Sequence, residues 1–577
     1  MNAICGTFVK LLLIAAFSLS INSEQTLEFD FIVVGGGSAG CVVASRLSEN
    51  NDFSVLLLEA GGEPPITSKI PLFAPFMWNT QFDWNYSTVP QSNALKSKRN
   101  YQSTWTRGKM LGGTASLNTL NFIRGNKFDF ENWEKFEGAK GWNWKDVLPY
   151  FKKSEKSYLE NVDSELHSKD GMIPVTNPGK NNEFISSFIA SVRDIGYDFN
   201  DPSDGNQLGV GYSQINVFNG ERQSTYVTYI SPYRACRENL RIETHAFAEK
   251  ILFDENKRAT GVVFSKSGDR LVAKARREVI VSAGAINSPQ LLMLSGIGPR
   301  EQLNLHGIQT IADLPVGENL NDHIGLLIEF KRPFQDYFDD RLIAEFFMNK
   351  SGLLTQFAFG TAFVNTPIAD KAKEYPDIQL FLTGHPLLDS KDDLKSLLVV
   401  VLNRPQSRGH LKLKSNDPYD HPIIDPKYFL HESDVKTLIE GVKIAMNISR
   451  NMNAEKLGFE MKSFSAPECD ALEKENDDYW ECIVRHFADT LYHFAGTCRM
   501  GSEDSEKAVV DNELRVLGVS GLRVVDASIM PSIVSANPLA SIVMIAEKAS
   551  DMIKAHHKQR MNSEAKSAEN KSRFEEL

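Results

Sequence analysis

The sequence has few cysteines, no excess of basic residues and no apolar run long enough to cross a bilayer. Its 63 Lys and Arg residues are outnumbered by 74 Asp and Glu residues, and the net charge of −11 is spread along the chain without a basic stripe. These absences argue against a nucleic-acid partner and against a membrane-spanning protein. With 577 residues and 42% hydrophobic composition, the chain is long enough to bury a large core.

Residues 1–23 have the layout of a secretory signal peptide. Lys10 precedes an apolar run from Leu11 to Leu19, and small polar residues follow around Ser23. A membrane anchor is the alternative, but this run is well short of the roughly 20 residues that span a bilayer. We therefore expect secretion to the extracellular space. Four residues in Asn-x-Ser/Thr frames are then glycosylation candidates: Asn85, Asn349, Asn447 and Asn570.

Five of the six cysteines follow the expected signal peptide, so at least one of them stays free. Cys41 lies in an amphipathic helix pattern and Cys498 in a tight Gly-rich motif, which favours buried, unpaired thiols. The disulfide that we expect is Cys469–Cys482. An exported protein can keep such a bond because its surroundings are oxidising.

A βαβ unit with a dinucleotide-binding pattern opens the folded part of the chain. The buried-strand run FDFIVV passes through GGGSAG into the helical CVVASRLSEN, and SVLLLEAGG forms a second strand. Gly35, Gly37 and Gly40 have the spacing that brings backbone close to a pyrophosphate at a helix N-terminus. Glu59 closes the second strand, where a carboxylate can accept hydrogen bonds from ribose hydroxyls. The pattern fits FAD and NAD equally well.

Later segments alternate between strand-like and helical patterns, without an internal repeat or a low-complexity linker. Strands are predicted at 240–254, 259–264, 277–284 and 521–528, and helices at 288–298 and 538–557. This alternation favours interleaved lobes over domains joined in series. Residues from Lys558 onward are polar and charged, which is typical of a solvated tail.

Three longer motifs resemble the glucose-methanol-choline (GMC) oxidoreductase family. They are RGKMLGGTASLNTLNFIRG at 107–125, GAINSPQLLMLSGIG at 284–298 and HFAGTCRMG at 493–501. The resemblance extends from about Asp30 to Ile553, and local sequences such as LPVGENLNDH resemble its arthropod branch.

The resemblance implies an α/β fold in which a Rossmann-like FAD-binding domain is interleaved with a sheet-based substrate domain. The FAD-binding segments are expected at 28–175, 226–330 and 491–556, the last of which also carries the catalytic residues. The substrate-domain segments are expected at 176–225 and 331–490. A flexible tail is expected at 557–577.

The resemblance also assigns cofactor-binding residues. They are Gly35, Gly37, Ser38, Ala39, Gly40, Glu59, Ala60, Arg107, Gly112, Gly113, Thr114, Asn118, Ala248, Asp526, Ala527 and Asn537. Two residues depart from the family pattern. Ala115 replaces a small hydroxyl residue, and Leu117 stands where some members carry a histidine joined covalently to the flavin. We therefore expect noncovalent FAD, and no metal.

Catalysis by a family member needs a base near the substrate hydroxyl and an acceptor for the hydride. The resemblance makes His493 the base, with Asn537 as the second catalytic residue. A buried core histidine and a turn-forming asparagine are the structural alternatives. For His323 we expect a structural role, and Tyr492 and Phe494 fit a pocket wall or the core equally well.

The function expected from these residues is FAD-dependent oxidation of an alcohol to a carbonyl compound. Oxygen is the favoured acceptor, giving hydrogen peroxide, and the favoured substrate is a small aromatic or cyanohydrin alcohol such as mandelonitrile. The alternatives are a sugar or choline dehydrogenase with another acceptor, an FAD-containing hydroxynitrile lyase and a non-catalytic flavoprotein. His493 and Asn537 argue against the last of these.

Overall fold

A computed structural model describes residues 27–332, 340–355, 357–370, 374–384, 387–388 and 394–575. The expected signal peptide lies outside these residues. The described chain forms two large sheets, each packed against helices, with smaller two-stranded ribbons between them. The ribbons are Tyr86–Ser87 with Thr104–Trp105, Glu155–Ser157 with Ile173–Val175, Val217–Phe218 with Glu221–Arg222, and His410–Lys412 with Ile423–Asp425.

The first sheet is Rossmann-like and has a parallel centre. Its strand order is Leu240–Glu243, Val55–Leu58, Leu27–Val34, Asp269–Val281, Ala259–Lys266 and Ala246–Phe253, with Leu522–Val524 also paired to Asp269–Val281. The pairings between the first four strands are parallel, and Ile32 lies between Leu56 and Val279. These three side chains are buried, as expected for a sheet with helices on both faces.

The second sheet is antiparallel throughout. Its order is Glu460–Met461, Ile324–Arg332, Leu394–Leu402, Ile378–Thr383, Phe359–Val364 and Gly209–Tyr212, with Leu387–Leu388 and Asp489–Thr490 at its edges. The helices Glu183–Asp194 and Glu432–Asn451 pack against it. The opposite face carries the substrate side of the site described below.

The longer helices surround these sheets. They are Ser38–Leu47, Lys127–Glu137, Trp144–Ser154, Glu183–Asp194, Gly284–Leu294, Asp340–Asn349, Glu432–Asn451, Asp477–Phe487 and Leu539–Glu575. Shorter helices lie at Arg300–Leu305 and Pro467–Asp470. Among the described residues, no helix is both long enough and apolar enough to span a membrane. The helices Ser38–Leu47 and Leu539–Glu575 pack together, which joins the first and last parts of the described chain in one domain.

The interleaved α/β organisation predicted from the sequence is confirmed, with two local changes. The boundary expected at residue 330 falls inside the strand Ile324–Arg332, which belongs entirely to the second sheet, so the boundary lies before Ile324. The last helix continues to Glu575, so the tail expected at 557–577 is helical as far as it is described. Residues 558–575 contain no Gly or Pro, the residues least compatible with a helix.

The expected disulfide Cys469–Cys482 is present, and Cys41 and Cys498 are buried and unpaired as expected. The bond joins the short helix Pro467–Asp470 to Asp477–Phe487 across a sequence separation of 13. Of the glycosylation candidates, Asn85, Asn349 and Asn447 are exposed. The side chain of Asn570 lies outside the described part of the structure.

Removal of this disulfide is expected to destabilise the protein. Replacing both Cys469 and Cys482 by Ser should lower the free energy of unfolding by about 3 kcal/mol, because the open chain gains conformational entropy when it unfolds. Guanidinium denaturation measures the change. Cys236→Ser is the control, since this thiol is exposed and unpaired. Equal midpoints for the double variant and the wild type would show that the bond contributes nothing.

Candidate active site

A single cavity of about 520 Å³ runs from the first sheet to the second. Its volume lies within the range of small-molecule and cofactor sites. The cofactor and catalytic residues assigned by the sequence all line it except Gly40 and Gly112. The structure therefore brings residues from distant parts of the chain to one continuous site.

Gly40 and Gly112 shape the cavity without lining it. A Cβ atom on Gly40 would stand 1.8 Å from the carbonyl oxygen of Gly35, so only glycine lets the first helix approach the first strand this closely. The N–H of Gly112 donates to the carbonyl oxygen of Gly36 at 2.7 Å. This bond holds the loop that carries Gly113 against the loop that carries Gly37.

Glu59 marks the adenosine end of the cavity. Its two carboxylate oxygens accept hydrogen bonds from the N–H groups of Gly36, at 2.8 Å, and Gly61, at 2.7 Å. Burial raises the pKa of Glu59, whereas these donated bonds lower it. Each carboxylate oxygen keeps a lone pair for a ribose hydroxyl. Ala248 lines the same cavity on the strand that begins beside Glu59.

The segment 112–118 crosses the middle of the cavity and is tightly held. A Cβ atom on Gly113 would stand 2.7 Å from the Cα atom of Gly37, so the two loops leave no room for a side chain there. The Asn118 side-chain oxygen accepts a hydrogen bond from Arg222 Nη1 at 2.9 Å. Arg222 is fully buried, and desolvation lowers its pKa to about 9. Its guanidinium also donates to the carbonyl oxygen of Asn118 at 2.7 Å, which fixes this segment.

Asp526 and Arg107 provide charge in the middle of the cavity. The Asp526 carboxylate accepts from the N–H of Gly284 at 2.8 Å and from the hydroxyl of Ser288 at 2.5 Å. Arg107 lies 5.9 Å from the ring centre of Phe494, and burial lowers its pKa. Phe494 itself stacks on Trp105 in the core, whereas Tyr492 lines the cavity.

His493 stands in a chain of side-chain contacts at the far end of the cavity. Its Nε2 atom lies 3.1 Å from Asn537 Nδ2, and its Nδ1 atom lies 2.9 Å from His323 Nδ1. His323 Nε2 lies 3.0 Å from the carbonyl oxygen of Asn403. At the other end, Gln379 Nε2 donates to Asn537 Oδ1 at 3.3 Å. All of these side chains are buried.

The two ends of this chain fix where each proton lies. The Asn403 carbonyl can only accept, so His323 carries its proton on Nε2, and its Nδ1 atom is the acceptor. His493 must then donate from Nδ1, which leaves the lone pair of a neutral ring on Nε2. The Asn537 amide donates to that lone pair. His493 therefore presents the lone pair of Nε2 to the cavity, and His323 sets this arrangement, a role that the sequence had not assigned to it.

Burial keeps both imidazoles neutral. It lowers the pKa of His323 to about 4, and desolvation followed by repulsion from His323 lowers the pKa of His493 well below its ordinary value of 6.5. A neutral His493 is able to take a proton at pH 7. The hydrogen bond from Nδ1 to a neutral acceptor helps to orient it.

Asp322 fixes the backbone that carries His493. Its carboxylate accepts from the N–H of His493 at 2.9 Å, from the hydroxyl of Thr490 at 2.7 Å and from the hydroxyl of Tyr428. Burial raises the pKa of Asp322 to about 7, and three donated hydrogen bonds favour its ionised form. Asp322 and His323 belong to the segment NLNDH, which the sequence had marked only as family-like.

One face of the second sheet forms the substrate side of the cavity. The face consists of three rows of side chains that run across the strands. The first row contains Gln379, which contacts Asn537, and the second is apolar and contains Leu327, Val399 and Phe381. A third row contains Glu329, Leu397, Thr383 and Phe359. Glu329 pairs with Lys395 at 3.4 Å. Alternate residues on a strand are about 6.8 Å apart, so the face extends roughly 13 Å from the first row to the third.

A dinucleotide site that continues into a buried imidazole and amide defines a dinucleotide-dependent oxidoreductase. The chain belongs to the GMC oxidoreductase family: the N-terminal family model matches residues 29–325 and the C-terminal model matches residues 405–546. It is an enzyme of the kind that acts on CH–OH donors, and its cofactor is FAD. The glycine approaches, the Glu59 carboxylate and the continuous cavity all fit this cofactor.

Relatives of the chain include dehydrogenases and oxidases. It is 38% identical to glucose dehydrogenase [FAD, quinone] of Drosophila melanogaster, over 93% of this chain and 88% of that protein. It is 35% identical to ecdysone oxidase of Spodoptera littoralis, over 92% of each chain. The structure of a formate oxidase variant from Aspergillus oryzae has a TM-score of 0.83 and 28% identity, and the match covers 93% of this chain and all of that one.

Proposed function

We propose that the protein oxidises a small aromatic or cyanohydrin alcohol, such as mandelonitrile, to a carbonyl compound outside the cell, with oxygen as the final acceptor. The observation that carries this proposal is the contact between Asn537 and His493 Nε2 at the end of the FAD cavity. Bound FAD supplies the acceptor for the hydride that leaves the carbinol carbon. The proton of the hydroxyl has to go to a base of the protein.

His493 and Asn537 divide the work at the substrate oxygen. The hydroxyl donates its proton to the lone pair on His493 Nε2, which Asn537 otherwise occupies. The Asn537 amide, 3.1 Å from that nitrogen, then donates to the substrate oxygen as negative charge develops on it. Because Gln379 holds the amide oxygen of Asn537, the amide presents its N–H group to the substrate. The hydroxyl proton held by His493 and the hydride together balance the conversion of oxygen to hydrogen peroxide.

The wall opposite the base supports an aromatic substrate. Phe357 and Phe359 meet edge to face, with ring centres 4.8 Å apart, and Phe359 and Phe381 meet in the same way at 6.0 Å. All three rings line the cavity, and such rings attract another aromatic ring. A sugar needs several hydrogen-bonding side chains, whereas the described residues of this sheet face offer Thr383 and Glu329, both in its third row, with Glu329 already paired with Lys395.

Secretion, glycosylation and noncovalent FAD complete the proposal. The signal-peptide pattern at residues 1–23 supports export, and a disulfide suits an oxidising compartment. Asn85, Asn349 and Asn447 are exposed, as glycan acceptors must be. Leu117 lines the cavity where a histidine would be needed for a covalent flavin bond, and a leucine side chain forms no such bond.

Turnover in air tests the substrate and the acceptor together. Mandelonitrile, benzyl alcohol, glucose and choline are supplied separately to the purified FAD-loaded protein, while oxygen uptake and hydrogen peroxide are recorded. We expect turnover with mandelonitrile and with benzyl alcohol. For each substrate, the amount of hydrogen peroxide formed should equal the amount of oxygen consumed. If turnover occurs only when a quinone dye is added, the electron acceptor is a quinone and not oxygen. Preference for glucose or choline would overturn the substrate proposal.

A further inference from the structure

Asn121 lies in the cavity wall on the substrate side. Its backbone forms an antiparallel bridge with Ile215, whose side chain belongs to the apolar cluster that contains Phe359 and Phe381. Asn121 is 3% exposed and lines the cavity. Ile123, two residues later, packs against Phe363 and Ala536. Since Ala536 precedes the catalytic Asn537, this segment runs beside the catalytic end of the site.

The side-chain amide of Asn121 has no hydrogen-bond partner. Neither its nitrogen nor its oxygen is within bonding distance of another polar group, although both atoms are buried. A buried polar group without a partner is costly, so native proteins keep few of them. Among the other amides of the site, Asn537 contacts His493 and Gln379, and Asn118 contacts Arg222. Gln379 leaves its side-chain oxygen without a partner, whereas Asn121 leaves both of its amide atoms without one.

Because Asn121 lines the cavity, a rotation of its side chain brings this unsatisfied amide, with its donors and its acceptor, to a ligand there. We propose that Asn121 is a specificity-determining residue that binds a polar group attached next to the carbinol carbon of the substrate. The group is a nitrile, a hydroxyl or a carbonyl, any of which can accept from the Asn121 amide N–H. This inference rests on the proposed alcohol oxidation and narrows it from aromatic alcohols in general to those with such a group.

The proposal separates two alcohols of nearly equal size. Mandelonitrile and 1-phenylethanol are both secondary benzylic alcohols, with a nitrile in one where the other has a methyl group. Asn121→Leu keeps the branched side-chain skeleton with the same number of heavy atoms but has no amide. We expect this variant to lower kcat/KM by roughly 10- to 100-fold for mandelonitrile and for 1-phenylethane-1,2-diol, and by less than about threefold for 1-phenylethanol. For each alcohol, the kcat/KM of the variant is divided by that of the wild type. Comparing these quotients between alcohols removes the differences in their intrinsic reactivity.

Two controls show whether the effect is specific. Asn512→Leu removes another amide whose oxygen is buried without a partner, at a place outside the cavity, and should leave the ratios unchanged. The flavin spectrum and FAD content of Asn121→Leu should match those of the wild type. If this variant does not fold, Asn121→Ala is measured with the same alcohols.

Several results would overturn the proposal. An equal fall in kcat/KM for all three alcohols would show that Asn121 does not distinguish the substituents. A changed flavin spectrum or a loss of FAD would show that Asn121 contacts the cofactor instead. If the wild type oxidises 1-phenylethanol but neither polar alcohol, the proposed alcohol oxidation is retained and the proposed role of Asn121 in specificity is rejected. If none of the alcohols reduces the flavin in the wild type, the proposed function fails and this inference fails with it.

Discussion

His493→Ala is expected to lower turnover by at least roughly 100-fold while the protein keeps its FAD. The variant removes Nε2, the atom that stands 3.1 Å from the Asn537 amide and that takes the hydroxyl proton in the proposed reaction. A general base contributes about 10²- to 10⁴-fold to a reaction of this kind. Cofactor binding should persist because the glycines, Glu59 and the segment 112–118 are separate from this contact. The measurement is kcat for mandelonitrile together with the flavin content of the purified variant.

The pH dependence of the wild type gives an independent check of the base. Because burial lowers the pKa of His493 well below 6.5, the neutral base is fully populated from pH 6.5 upward. We therefore expect protonation of His493 to cause no fall in kcat/KM between about pH 6.5 and 8. An inflection near pH 7 that disappears in Asp322→Asn belongs to Asp322. Near-normal turnover of His493→Ala would remove His493 from its role. An inflection close to pH 6.5 that persists in Asp322→Asn would contradict the lowered pKa of His493.

His323→Leu is the second substitution with a large expected effect, roughly 100-fold in kcat. His323 Nδ1 is the acceptor for the proton on His493 Nδ1. Without it, the His493 ring has a buried N–H group with no partner, and the proton can move to Nε2, the atom that must accept from the substrate. KM should change little, because His323 does not line the cavity. The measurement is therefore kcat and KM together.

His323→Asn separates positioning from simple structural support. The Asn oxygen stands close to the place of the histidine Nδ1 atom and can accept from His493. We expect the kcat of His323→Asn to be at least about tenfold higher than that of His323→Leu. The FAD content and thermal stability are recorded for both variants. If kcat falls equally in the two variants, or falls in proportion to the FAD content, His323 has only a structural role.

The sequence predicted the features that depend on local spacing. Gly35, Gly37, Gly40 and Glu59 lie in one βαβ unit, so their spacing alone places them around a dinucleotide. The role of His323 was missed because its partner His493 is 170 positions away, and no local pattern reports such a contact.

Asn121 and the domain boundary were missed for related reasons. An asparagine within a motif carries no sign that its amide lacks a partner, since that depends on the second sheet packing beside it. The strand Ile324–Arg332 follows the first-sheet segments without a break in composition, and only its pairing with Leu394–Leu402 assigns it to the second sheet.

Anaerobic mixing of the FAD-loaded protein with mandelonitrile distinguishes oxidation from its nearest chemical alternative. Alcohol oxidation predicts that the visible absorbance of the oxidised flavin is lost in a single turnover and that benzaldehyde forms no faster than in a control without the protein. The same loss should be at least roughly 100-fold slower in His493→Ala. A flavin that stays oxidised while benzaldehyde and cyanide appear faster than in the control without the protein would identify a hydroxynitrile lyase and contradict the proposed oxidation.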